Sequence, residues 1–413
     1  MEQISKRDRE KLRERARLQL EYANSPANED ILKKWQARAE GRRETPTVRL
    51  CFGGYYHEVV TPRLQCEGDA ARKIETKLLA TLVGRELFDD DTPISPTYDI
   101  GWRTYCRPFG ISAKKTRADG DDTRGFHIDP VIQDLGKEID KLRGGSFGVD
   151  REATAEQRRL AEEILGDILP VRMVMGALGG GLTNQLVFLM GMEAYYIAMY
   201  DCPDAVHEAM EMGTQVYEQY YDFLEKEALL LPTNGLSPVP QETFAFTDEL
   251  PGENVTKTTE CWGFLESQET TAVSAETFGE FVFPYQDRLA KRFGLLSYGC
   301  CERVDATWSD YLSKWSNLRQ LSVSPFNNER QIGDYLRGTR IVYYCKPRAE
   351  FVTCDGPMNE PAITAYFKGV CEAASGCLFE VTQRELGTIH GDYGRGRRYV
   401  QLAKEAVDAY WRP

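Results

Sequence analysis

Short apolar runs rich in β-branched and aromatic residues alternate along this chain with longer segments whose apolar residues recur at helical spacing. The runs predict strands at 47–52, 171–176, 260–265, 295–300, 318–324, 340–345 and 377–383. Helical spacing predicts helices at 70–87, 130–168, 183–228, 275–292, 327–337 and 359–374. Strands that alternate with helices favour a parallel sheet, because parallel neighbours need a crossover connection.

A short apolar element that ends at Phe88 brings the strand candidates to about eight, the number that closes a barrel. We therefore predict an α/β fold, a (β/α)8 TIM barrel, in residues 44–413. Residues 1–43 are dense in Arg, Lys and Glu, with few large apolar residues at helical spacing, which predicts exposed helices. We expect them to form an N-terminal helical extension before the catalytic barrel, as a cap or an oligomer contact.

Composition excludes several classes of partner. The 51 basic and 64 acidic residues give a net charge of −13, so neither nucleic acid nor an anionic membrane is an expected partner. Eleven cysteines form an odd, irregularly spaced set in a long chain, which suits a reducing compartment better than a disulfide framework. The charged N-terminal segment has no apolar core, and no stretch approaches the ~20 apolar residues of a membrane helix. We expect a cytoplasmic protein.

The sharpest chemical signal is the run Cys300, Cys301 and Glu302, which follows the apolar residues 295–297. Reacting groups of α/β barrels lie at the carboxyl ends of strands, and thiolates with a carboxylate are ligands that zinc accepts. Cys377, which opens the last predicted strand, is a candidate fourth ligand. The alternative is that these cysteines only pack, since free cysteine is among the most buried residue types.

A second group of polar residues follows the predicted strand at 260–265. Glu266, Gln268 and Glu269 come directly after it, beside Trp262. The carboxylates could move a proton or hold a metal, and Trp262 and Gln268 could contact a substrate. Acidic residues at the start of a helix explain the same pattern as ordinary capping.

A third candidate is the acidic triplet that contains Asp90. It follows a short apolar element, and Tyr98 comes soon after it. Asp90 is a candidate catalytic residue, although an acidic triplet at the surface is the ordinary case. Histidine is scarce, and His57, just after the first predicted strand, is the one best placed to face a pocket.

Residues 266–302 resemble the later half of the uroporphyrinogen decarboxylase superfamily, most closely its corrinoid-dependent methyltransferase branch. Further matching pieces lie at 90–93, 191–204, 321–324 and 345–347, so the resemblance covers the whole predicted barrel. It implies a (β/α)8 barrel. The arginine- and glycine-rich opening motif of the decarboxylases is absent from residues 43–54, which argues against tetrapyrrole decarboxylation.

The resemblance also implies a ligand set. Methyltransferase members hold zinc through a His-x-Cys strand tip and a later Cys. Here Cys300 matches the first cysteine, Cys377 resembles the later one, and Tyr298 stands where the histidine would be. Either the ligand set recruits Cys301 or Glu302, or this protein binds metal differently or not at all. Tyr298 then becomes a candidate substrate contact.

The leading expectation is a zinc-dependent methyltransferase that moves a methyl group from a small methylated ether or amine to a corrinoid on a partner protein. Asp90, Glu266 and Glu269 would orient the substrate or protonate the leaving group. One alternative is a metal-independent lyase for a carboxylated small molecule, with Asp90 and with Arg103 or Arg107 as cationic partners. A second is a non-catalytic barrel that binds a ligand. A homodimer is expected from family habit.

Overall fold

The computed structural model describes residues 4–116 and 127–413. Its α-helices are α1 Lys6–Ala23, α2 Pro26–Ala39, α3 Tyr56–Val59, α4 Asp69–Val83, α5 Leu135–Glu138, α6 Arg151–Leu165, α7 Leu182–Met190, α8 Met192–Asp201, α9 Pro203–Lys226, α10 Ala275–Phe281, α11 Phe283–Ala290, α12 Val304–Thr307, α13 Glu329–Leu336, α14 Glu350–Thr353, α15 Glu360–Ala373 and α16 Tyr393–Tyr410. Its strands are β1 Thr47–Leu50, β2 Tyr98–Gly101, β3 Thr104–Arg107, β4 Lys114–Thr116, β5 His127–Asp129, β6 Ser146–Val149, β7 Val171–Val174, β8 Leu178–Gly179, β9 Pro238–Val239, β10 Thr243–Phe244, β11 Trp262–Leu265, β12 Leu295–Tyr298, β13 Leu318–Val323, β14 Val342–Cys345 and β15 Leu378–Gln383.

The centre of the fold is a parallel sheet. Within the described residues, seven strands pair in the order β1-β15-β14-β13-β12-β11-β8. β2 pairs in parallel with β7, outside that ladder. The alternation of strands and helices predicted for the second half of the chain is confirmed, and closure into a (β/α)8 barrel stays a prediction.

The sheet forms because its strands can be buried on both faces. All residues of β11 and β12 are buried, as expected for parallel strands covered by helices. Gly263 in β11 is required by packing, since a Cβ atom there would lie 1.9 Å from the ring of Phe293. The predicted helix at 130–168 is wrong in part, because Gly144 and Gly145 interrupt it and β6 follows, antiparallel to β3.

The N-terminal helices are part of the core, which corrects the prediction that they are exposed. Trp35 of α2 is completely buried, with its ring 5.2 Å from that of Phe244. Arg38 forms an ion pair with the fully buried Glu380 of β15. Leu12 and Ala16 of α1 are buried in a separate cluster with Leu78 of α4. The few apolar residues of the segment are therefore buried, although its apolar content is low.

A β-hairpin, formed by β9 and β10, packs against β14 and β15 of the sheet. Thr243 donates to the carboxylate of Glu380, at 2.9 Å, and Tyr344 of β14 donates to the carbonyl oxygen of Gln241 at its tip. Gln241 and Glu242 have φ angles of 75° and 65°, a left-handed conformation that is costly for residues other than glycine. The hairpin therefore presents its strained tip to the carboxyl ends of β14 and β15.

No helix among the described residues has the length and apolar character needed to span a membrane.

Candidate functional site

Two cysteines and a glutamate converge at the carboxyl edge of the sheet. Cys300 and Cys301 follow β12, and their Sγ atoms lie 3.7 Å apart. Glu385 follows β15, and its carboxylate lies 3.3 Å from the Sγ of Cys301 and 3.9 Å from that of Cys300. One donor atom from each of the three residues falls within 4.8 Å of the others. We call these residues the Cys300–Cys301–Glu385 group.

The ammonium group of Lys346 contacts every member of this group. Lys346 follows β14, and its Nζ lies 3.7 Å from both sulfur atoms and 3.1 Å from Oε1 of Glu385. Only 3% of the lysine side chain is exposed. A buried ammonium needs anionic partners, so its position favours a thiolate and an ionised Glu385.

The two thiols differ in acidity. The hydrogen bond with Cys300 lowers the pKa of Cys301; burial opposes this shift and Lys346 adds to it. The same hydrogen bond, followed by burial, raises the pKa of Cys300 well above its ordinary value. Cys301 is therefore the thiol of the pair that loses its proton first, and the thiolate is the form that binds metals and attacks electrophiles.

Glu385 is held in place by cations and by its backbone. Burial would raise its pKa, but Lys346 and Arg384 outweigh that effect and leave the pKa lowered. Its φ angle of 63° lies in the left-handed region. Gln241 accepts hydrogen bonds from both cations, at 3.1 Å from the Nζ of Lys346 and also from Arg384. Strained residues that converge on one group of charges are typical of functional sites.

A layer of carboxylates lies beside the cysteines. Glu302 is buried and accepts hydrogen bonds from the amides of Ser267 at 2.8 Å and Cys300 at 2.6 Å. Burial raises its pKa despite these amides. Burial, followed by the charges of Glu302 and Glu269, raises the pKa of Glu266 to about 9. Glu266 is therefore a carboxylic acid at neutral pH, able to donate a proton.

Glu269 is firmly positioned from α7 and α8. Its carboxylate accepts hydrogen bonds from Thr183 and Asn184, each at 2.9 Å, and its carbonyl oxygen accepts one from Tyr196 at 2.6 Å. Gln268 is half-buried beside it, and its backbone amide donates a hydrogen bond to the carboxylate of Glu266 at 3.1 Å. The structure thus brings Glu266, Gln268 and Glu269 together in one loop after β11.

Asp90 lies at the carboxyl end of β1, and the catalytic role predicted for it stays a prediction. The residue is buried, and its carboxylate accepts hydrogen bonds from the amide of Leu50 at 3.0 Å and that of Thr92 at 2.9 Å. Asp91 takes the amide of Val48 in the same way, at 2.8 Å. Both carboxylates thus accept hydrogen bonds from backbone amides of β1 that pair with no neighbouring strand among the described residues, which is a structural role.

Three of the predicted substrate contacts are aromatic residues that are buried in the fold, and their contact with substrate stays a prediction. Trp262 begins β11 at its amino end, where its Nε1 donates to the carbonyl oxygen of Ala245 at 3.1 Å. Tyr98 begins β2 and is buried. Tyr298 ends β12, but its hydroxyl bonds Ser267 at 2.9 Å. His57 lies in α3 after β1, with Nε2 3.6 Å from Glu58.

Cys377 is also separated from the predicted metal site. It precedes β15, so it lies at the amino edge of the sheet, whereas Cys300 follows the carboxyl end of β12. At ~3.3 Å per residue, the length of β15 puts it about 20 Å from that edge. Its Sγ contacts the carbonyl oxygen of Gly333 at 3.4 Å, and burial raises its pKa to about 11. Cys377 is a packing residue.

Sequence reasoning missed Lys346, Glu385 and Gln241. Lys346 and Glu385 are charged residues just after predicted strands, which is the signal that singled out Glu302. Gln241 had no such signal, because its place depends on a hairpin of two-residue strands.

The Cys300–Cys301–Glu385 group fits a zinc ion. With Zn–S near 2.3 Å and Zn–O near 2.1 Å, tetrahedral ligands would lie about 3.8 Å apart for two sulfurs and about 3.6 Å for sulfur and oxygen. The observed 3.7 Å between the sulfurs, and 3.4 and 3.9 Å from the sulfurs to Oε1 of Glu385, are close to these values. A cation bound there would take the place of the Lys346 ammonium.

No protein-family model matches the sequence, and no curated protein matches it either. Among solved structures, a methyltransferase from Methanosarcina mazei is similar, with a TM-score of 0.52 and 15% identity over 92% of this chain and 98% of that one. At this identity the likeness shows a shared fold and leaves the chemistry to be argued from the site.

Proposed function

We propose that this chain is a zinc-dependent methyltransferase of the corrinoid-dependent type, with the sheet closed as a (β/α)8 barrel. One observation carries the proposal: the Cys300–Cys301–Glu385 group offers a zinc ligand set at the carboxyl edge of a fold shared with a methyltransferase. In such folds this edge holds the reacting groups. The ligand set replaces the predicted Cys377 and Glu302 with Glu385.

Zinc bound by Cys300, Cys301 and Glu385 would supply Lewis acidity toward the heteroatom of a methylated ether or amine. Lys346, once displaced, keeps Gln241 as a hydrogen-bond partner, since Gln241 already accepts from its Nζ at 3.1 Å. The lowered pKa of Cys301 favours metal binding, because a thiol must lose its proton to bind a metal.

Glu266 would serve as the general acid. As the methyl group leaves for the corrinoid of a partner protein, the heteroatom that loses it takes the proton from the Glu266 carboxyl. Burial keeps that proton in place at neutral pH, and Glu302 and Glu269 reinforce the effect. Glu269, fixed by Thr183 and Asn184, orients the loop that carries Glu266.

The corrinoid would come on a separate protein, as the resemblance to the corrinoid-dependent methyltransferase branch implies. His57 and Gln268 remain proposed substrate contacts, and a cytoplasmic homodimer remains part of the proposal.

The test is metal content by plasma mass spectrometry on tag-free protein purified without chelator. Wild type is expected to carry about one zinc per chain, as structural and catalytic zinc sites do, and Cys301→Ser and Glu385→Gln are expected to lose it. Cys377→Ser is the matched control and should keep it. Zinc-loaded protein is then mixed with methylated ethers and amines and a corrinoid protein, and the visible spectrum of the corrinoid reports transfer. Wild type without zinc, or zinc lost only in Cys377→Ser, would refute the proposal.

A metal-independent lyase is the second candidate, favoured by the buried Lys346 and the partly buried Arg384 at the same edge. They could hold a substrate carboxylate, which the exposed Arg103 and Arg107 are poorly placed to do. If zinc-free wild type releases carbon dioxide from a carboxylated substrate, the lyase function is supported over methyl transfer.

A further inference from the structure

The sheet has a lateral opening that the proposed reaction does not use. β1 and β2 both line a cavity of about 370 Å³, and no ladder of hydrogen bonds joins these two strands within the described residues. The amides on the free edge of β1 are satisfied by the carboxylates of Asp90 and Asp91 instead. The opening is therefore a stable part of the fold.

The cavity lies between α4 and the β9–β10 hairpin. Lys77 and Ala80 of α4 line one side of it, and Phe244 of the hairpin also lines it. Phe52 and Tyr98 add aromatic surface. A mostly apolar wall with a few charged groups is the usual character of a small-molecule site.

The two basic residues that line the cavity have no carboxylate partner. Arg49 donates to the hydroxyl of Thr92 at 3.1 Å and to the carbonyl oxygen of Glu242. Lys77 donates to the carbonyl oxygen of Asp99 and lies over the ring of Tyr98, 4.9 Å from its centre. Neither forms an ion pair within 4.0 Å among the described residues.

The two acidic residues of the lining, in contrast, already have cationic partners. Asp99 accepts two hydrogen bonds from Arg172, at 3.0 and 2.8 Å, and Glu242 lies 3.5 Å from Arg384. Of the four charged residues in the lining, the two cations are therefore the ones without an ion pair among the described residues. Burial lowers the pKa of Lys77, and the charge of Asp99 only partly offsets this, as expected for an ammonium short of counter-charge.

We propose that this lateral cavity binds a small molecule with a flat apolar body and a single carboxylate. The body would lie against Phe52 and Phe244, and Lys77 and Arg49 would supply the counter-charge to the carboxylate. Binding depends on neither zinc nor methyl transfer, so the proposal stands or falls separately from the proposed function.

Isothermal titration calorimetry on the metal-free full chain tests the site, with 3-phenylpropanoate as the probe and its neutral amide as the matched ligand. We expect the carboxylate to bind, and the amide to bind at least about tenfold more weakly, as a lost charge-assisted hydrogen bond implies. Lys77→Gln should bring the affinity for the carboxylate down to that for the amide. Ala80→Phe, which fills the cavity without changing charge, should abolish binding of both ligands.

Lys11→Gln is the control for charge, because Lys11 lies on neighbouring α1 and contacts Glu14 at 3.1 Å rather than the cavity. Circular dichroism is the check that each variant is folded. Failure of the carboxylate to bind wild type, equal binding of carboxylate and amide, or unchanged binding in Ala80→Phe would each overturn the proposal.

Discussion

The ammonium nitrogen of Lys346 lies 3.7 Å from the Sγ atom of Cys301. The same nitrogen also contacts Cys300 and Glu385, so it balances the charge of the three residues that would hold a metal ion. A metal ion bound there would lie close to the ammonium group, and two like unit charges about 4 Å apart repel by about 4 kcal/mol at an effective dielectric of 20. Lys346 therefore competes with a metal ion for these three residues.

Lys346→Met should therefore raise zinc affinity by at least about tenfold, since removal of part of that repulsion exceeds the 1.4 kcal/mol that a factor of ten requires. Competition against a chromophoric chelator measures the affinity. Lys291→Met, at an exposed lysine that pairs with Asp287, is the control and should leave it unchanged. Lower affinity in Lys346→Met would mean that the lysine helps to build the site.

Cys377→Ser should lower the stability of the fold and leave the reactivity of Cys300 and Cys301 unchanged. The thiol is buried against Gly333, so a more polar hydroxyl there should lower the free energy of unfolding by about 1–2 kcal/mol. Urea denaturation measures the loss. In the native protein, alkylation by iodoacetamide should remain fastest at Cys301, as peptide mass spectrometry would show. Altered alkylation of Cys301 would place Cys377 closer to the pair than the strand direction allows.

Glu266 makes stability depend on pH. Its carboxyl is protonated in the folded chain but ionised in the unfolded chain between the ordinary pKa of 4.5 and about 9. The unfolded state then binds fewer protons, so the free energy of unfolding falls as pH rises through that window, by up to about 1.4 kcal/mol per pH unit.

Urea denaturation at pH 6 and pH 8 should therefore show wild type losing stability relative to Glu266→Gln, which cannot ionise. A difference of about 1–2 kcal/mol is expected over the two units. Glu253→Gln, at an exposed glutamate, should follow wild type at both pH values. Parallel curves for wild type and Glu266→Gln would show that the carboxyl is ionised throughout.

Arg38→Ala should destabilise the whole chain by about 3–5 kcal/mol, because it leaves the buried Glu380 without its charge partner. The matched control is Arg42→Ala, since Arg42 is exposed and pairs with exposed Glu40 and Glu44. Its effect should stay within about 0.5 kcal/mol. Thermal unfolding distinguishes the two, and equal effects would show that α2 contributes little to the core.

Local pattern was enough to predict much of the fold and part of the site. The strands of the second half and the helices between them follow from periodicity, and Cys300, Cys301 and Glu266 were singled out because they come directly after strands. The same rule applied to every strand would have added Lys346 and Glu385. Trp262 and Cys377 were assigned to the wrong edge because they begin their strands rather than end them.

The sequence by itself determined the apolar runs, the helical spacing and the residues next to each strand end, because these depend on neighbours in the chain. Only the tertiary structure decided that Glu385 joins the cysteines, that Asp90 serves the edge of β1, and that Arg38 reaches Glu380 across 342 positions. Each of those contacts joins segments distant in the chain, and its energy depends on strand order and burial. No local pattern encodes either quantity.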